Sequence, residues 1–115
     1  MSLIPQNAQK VPVEGATVDF YRWSEGDTTY YAFDTSRCGP PEPMVNAMAG
    51  LKLVTDPNTK LIMINHKMPM GLLNKIEQNY DIQKEELDDG RVKLVFSYKP
   101  GESERADLND SHCHG

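Results

Sequence analysis

The sequence predicts an α/β two-layer sandwich in the order β-α-β-α-β-β. Both helices should lie on one face of a mixed sheet, with room for an extra N-terminal strand. Three observations carry this. Two stretches with apolar residues at helical spacing each stand between runs rich in β-branched, apolar or aromatic residues. Asp89-Gly90 separates two further strand-like runs, as a hairpin turn would. Strand–helix–strand crossovers are right-handed, which puts both helices on the same side. At 115 residues the chain has room for one core.

Residues 1–15 are polar with two prolines and are expected to be loosely ordered. "TVDFYRW" (17–23) and "TTYYAFD" (28–34) flank "SEGD" and read as a hairpin, the second run being the first strand of the main order. From Pro41 the pattern turns helical: Met44, Val45, Met48 and Leu51 form one apolar stripe. Proline suits a first helical turn, and Glu42 suits the positive end of the helix dipole. "DPNT" (56–59) is a turn, and "KLIMIN" (60–65) is a short apolar strand. A second helix is expected from about Met68, with Leu72, Leu73, Ile76 and Tyr80 on its apolar face. "YDIQKEEL" (80–87) and "RVKLVFSYK" (91–99) complete the sheet. In the latter, Val92, Leu94, Phe96 and Tyr98 alternate with a wetter face. The domain therefore spans 16–99, and 100–115 reads as a disordered tail.

The net charge of −5, with lysines and arginines scattered among acids, argues against a nucleic-acid partner. The longest apolar run, Leu61–Ile64, is far shorter than the roughly 20 residues that cross a bilayer. The first ten residues do not read as a signal peptide. The expectation is a cytoplasmic protein with no membrane partner and two reduced thiols, Cys38 and Cys113.

If the first two strands of the β-α-β-α-β-β order run parallel, their C-terminal ends meet at one edge, where both helices begin. Cys38, Pro40, Pro41, Glu42, Asn65, His66 and Lys67 should then lie near one another. Helix N-termini there would offer free N–H groups to an anion or thiolate. A strand ending in Asp34, a turn ending in Pro41-Glu42-Pro43 and a following helix resemble the TusA/SirA-like sulfur-carrier superfamily over residues 29–98. Members of that superfamily relay sulfur as a persulfide on the cysteine of a Cys-Pro-x-Pro motif. Aligned on Asp34 and Pro-Glu-Pro, this chain has Pro40 at the position of the carrier cysteine. It therefore looks closer to a branch of undefined function with Pro-Pro-Glu-Pro in that place. "INHKMPMGLL" (64–73) is loosely similar to the same branch. The resemblance implies the fold and a role in sulfur or redox handling. It does not carry over the persulfide, since proline has no nucleophile.

Cys38 then has two readings, an ordinary loop thiol or a thiolate that has taken over the carrier role. His66 reads as a loop residue or as a group lining the same edge. The three prolines stiffen the turn and fix the helix entry, and they also make a rigid docking surface. His112, Cys113 and His114 are potential zinc or copper ligands, though adjacent residues in an extended chain point opposite ways. No pattern demands an enzyme or a cofactor. The leading expectation is a non-enzymatic domain that binds a protein partner or small anionic ligand through Asp34, Cys38, Pro40, Pro41, Glu42, Pro43, Asn65, His66 and Lys67. The alternatives are a sulfur carrier using Cys38 and a metal-binding protein using the tail.

Overall fold

The structure is a computed structural model and describes residues 4–106 and 108. Eight main elements follow one another: β1 (Gln9–Val11), β2 (Phe20–Glu25), β3 (Thr28–Asp34), α1 (Glu42–Leu51), β4 (Thr59–Asn65), α2 (Met70–Ile76), β5 (Tyr80–Glu86) and β6 (Val92–Tyr98). A short 3-10 turn, Ser103–Arg105, comes after them. The strands form one mixed sheet in the order β1-β2-β3-β4-β6-β5. β3 and β4 pair in parallel, with Phe33 opposite Met63 and Asp34 opposite Ile64. The other neighbours are antiparallel. No helix among the described residues is long and apolar enough to cross a membrane.

The main core takes Phe20, Phe33, Leu61, Met63, Leu94 and Phe96 from the sheet. It takes Met44, Met48 and Leu51 from α1, and Leu72, Leu73 and Ile76 from α2. Phe20 and Phe33 stack with ring centroids 4.8 Å apart. A smaller cluster holds Trp23, Ala32, Ile62 and Ile64, with Ile4, Ala8, Leu87 and Val95 packed on it. These residues alternate along β3 and β4 with those of the main core, as a strand's period of two requires.

Four local departures from the sequence expectation have physical causes. β2 begins at Phe20 rather than Thr17, because the Thr17 and Val18 amides are committed elsewhere. Both donate to the Asn46 Oδ1 on α1, at 2.8 and 3.3 Å. α2 begins at Met70 rather than Met68. Pro69 disfavours a helical backbone at the residue before it, and its own ψ of 78° is not helical. Within 1–15, Gln9–Val11 pairs with β2, a strand too short and polar to show a pattern. Beyond residue 99, the chain folds back on the start of β5. The Ser103 hydroxyl donates to the Asn79 carbonyl (2.7 Å) and accepts from the Lys99 amide (2.8 Å), while the Asn79 side-chain amide donates to the Glu102 carbonyl (2.9 Å).

Both hairpin turns rest on glycine. Gly26 takes φ 59° between β2 and β3. In the β5–β6 turn only Gly90 has positive φ, 89°, and Asp89 does not. The Leu87 amide donates to the Arg91 carbonyl (2.8 Å), so residues 88–90 form a three-residue loop.

Candidate functional site

The parallel pairing of β3 and β4 brings their C-terminal ends side by side, and buried hydrogen bonds hold them there. The Thr35 amide and hydroxyl both donate to the Ile64 carbonyl (2.8 and 3.3 Å), and the hydroxyl reaches the Asn65 Oδ1 at 3.1 Å. The Asn65 side-chain amide donates to the Lys67 carbonyl (2.9 Å), fixing the loop into α2. Thr35 and Asn65 are both fully enclosed. Their polar atoms are satisfied, so the network sets the shape of this edge without being available to a ligand.

On this frame lies a cavity of about 420 Å³ between the starts of the two helices. Pro40, Pro41, Pro43 and Met44 line one side, and Asn65, His66, Lys67, Met68, Pro69, Met70, Gly71 and Leu72 line the other. The Pro40–Pro41 peptide is cis. The wall is mostly apolar, with no carboxylate in it, and its size lies within the range of small-molecule and peptide sites. Met70 is 58% exposed, the one large hydrophobic side chain so exposed among the described residues.

The predicted residues divide into three settings. Pro40, Pro41, Pro43, Asn65, His66 and Lys67 meet in the cavity. Asp34 instead lines a polar hollow with Ser36, Arg37, Asp89 and Arg91. There it accepts from the Ser36 amide (2.8 Å) and hydroxyl and pairs with the Arg91 guanidinium at 3.4 Å. Arg91 also pairs with Asp89 at 2.7 Å, so its charge is already met. Cys38 and Glu42 make a third, small group. Desolvation by burial pushes the Cys38 thiol above its ordinary value, and a hydrogen bond with Glu42 and the charges of Glu42 and Asp34 push it the same way. This arrangement keeps the thiol protonated, the opposite of what a carrier thiolate needs.

The supply of free N–H groups is smaller than two ordinary helix starts would give. Pro41 and Pro43 have none, and the Glu42 amide donates to the Gly39 carbonyl at 3.1 Å. The start of α2 is again a proline, and the Met70 amide is bonded to the Met68 carbonyl. The prolines that fix the helix entries thereby remove part of the N–H supply expected there. Met44, Met68, Met70 and Leu72 were the residues hidden in the sequence. Met44 and Leu72 read as helix core and Met68 as the start of the second helix, whereas Met70 drew no reading. His112, Cys113 and His114 lie outside the described residues. Among the described residues, no three of His, Cys, Asp or Glu gather as a metal site. Comparison with protein-family models, with curated proteins and with solved structures finds no match for the chain.

Proposed function

We propose that the chain is a small non-enzymatic binding domain, TusA-like in architecture, whose working surface is the cavity between the helix starts. The observation that carries this reading is the apolar, proline-framed cavity with an exposed methionine at its rim. A concave, mostly apolar wall with a few polar groups is the usual setting of a binding site. Methionine is well suited to such a surface, because its flexible thioether adapts to different contacts. The occupant is a protein partner that presents an apolar side chain with a carboxylate nearby. The lining carries the Lys67 ammonium and the His66 imidazole and includes no carboxylate. Sulfur or redox handling follows from the resemblance alone. The order β-α-β-α-β-β from β3 onward supports that architecture, as does the joint contribution of α1 and α2 to one core, which suits two helices on one face.

The test is a photo-crosslinking residue at position 70, compared with one at position 84 on the outer strand β5, in cells. The expected result is a discrete protein adduct from position 70 alone. The purified partner should then bind at least about tenfold more weakly to Met70→Glu, as expected when one central apolar anchor is lost. Equal adducts from both positions, or no effect of Met70→Glu, overturn the reading.

A further inference from the structure

We infer that the same cavity holds a soft monovalent metal ion, copper(I), on a thioether and imidazole donor set. The inference rests on the reading of the cavity as the working surface. His66, Met68 and Met70 alternate along one short stretch, and Met44 joins them from α1. The chain turns tightly between Met68 and Met70. The Met70 amide donates to the Met68 carbonyl at 3.0 Å across Pro69, whose φ of −83° and ψ of 78° describe an inverse γ-turn. That turn brings the two methionine backbones together, and the proline ring restrains it. From the facing helix, the Met44 methyl lies 3.6 Å from where a Cβ on Gly71 would stand, so Met44 reaches the start of α2.

Core packing accounts for Met44 and in part for Met68, but not for Met70, which is mostly in solvent. A first helical turn at the surface would ordinarily carry a polar residue. Thioethers are soft donors that select copper(I), and a neutral donor set suits a single positive charge. Hard divalent cations take carboxylate and other oxygen ligands, and this wall has no carboxylate. The Lys67 ammonium lines the same cavity and opposes any cation there. It is exposed, so its effect is screened, and it supplies a discriminating variant.

Silver(I), which shares the charge and softness of copper(I) and needs no reductant, is the probe. It would be titrated as the nitrate, without chloride, into the full chain carrying Cys38→Ser and Cys113→Ser, with ¹³C-methyl methionine. The expected result is a one-to-one shift of the Met44, Met68 and Met70 methyl signals, with Met48 and Met63 unmoved. The pair Met68→Leu and Met70→Leu preserves side-chain volume and should keep the fold. It removes two of the proposed donors, so it should weaken binding by more than the about tenfold that loss of a group behind a ligand costs. Lys67→Ser should tighten silver(I) binding, whereas it would weaken an anion. Silent signals from Met44, Met68 and Met70, or undiminished binding by the double leucine variant, overturn the metal site. If adducts from position 70 persist in that case, the docking surface stands and the metal alone is lost.

Discussion

Cys38 is surrounded by charge of the wrong sign for a nucleophile. Burial acts most strongly to keep its proton, and the hydrogen bond with Glu42 and the charges of Glu42 and Asp34 act in the same direction. Neutralising Glu42 should therefore lower the thiol pKa and raise the thiolate fraction. Glu42→Gln is expected to speed iodoacetamide labelling of Cys38 several-fold at pH 8 in a Cys113→Ser background. An unchanged rate would mean that burial alone holds the proton. Asn46 shows the same dependence on neighbours in a different form. It is fully buried on α1 and serves two backbone amides, the Thr17 hydroxyl and the Glu42 carbonyl. Asn46 stands on the side of α1 away from the Met44, Met48 and Leu51 stripe, where it ties the loop before β2 to the helix.

At the scale of elements, α1 and β4 approach so closely that one position has room for hydrogen only. A Cβ on Gly50 would stand 2.8 Å from Leu61 Cδ1 and 3.0 Å from Phe20 Cε2. Both side chains are enclosed in the core and have little freedom to yield. Alanine gains about 1 kcal/mol over glycine in a helix. Overpacking costs about 1–3 kcal/mol, so Gly50→Ala should destabilise by about 1 kcal/mol. The midpoint of a urea transition would show this, and a stabilised variant would mean that Leu61 repacks freely. The elements themselves were largely legible. β3, β4 and β6 announce themselves by aromatic, apolar and alternating residues, and α1 by its stripe. Parallel pairing of β3 and β4 across the α1 crossover placed both strand ends at one edge, so the proline turn and Asn65-His66-Lys67 were expected together. The methionine wall was not legible, because Met68 and Met70 have the composition of a helix start while the backbone at Pro69 makes them a turn. β1 and the chain after residue 99 escaped for another reason: backbone pairing and the single Ser103 hydroxyl hold them, and neither leaves an apolar pattern.

Across the whole molecule, two pH limits follow from groups far apart in the fold. Asp89 is held below its ordinary value, chiefly by its hydrogen bond with the Arg91 backbone, opposed by some desolvation. Its contribution is present above the unfolded value and fades as pH falls through the acid range below about 4. Tyr80 is held above its ordinary 10.0, first by burial and then by the charge of Glu104. The folded chain then keeps a proton that the unfolded chain releases, so stability declines as pH rises past that value. Urea midpoints from pH 3 to 11 should show both limbs, with Asp89→Asn flattening the acid limb and Tyr80→Phe the alkaline one. A limb unchanged by its own variant would assign it to other groups. The sheet order has one more consequence. β3 and β4 are the neighbours joined in parallel, and the exposed residues 55–58 lie between α1 and β4, outside both elements. Scission there would yield two pieces, one with β1, β2, β3 and α1, the other with β4, α2, β5 and β6. Each would leave half of a shared core bare, so neither should fold alone. Mixed at equal concentration, they should find each other along that seam and regain the near-ultraviolet signature of Trp23, making the chain a natural candidate for a split reporter.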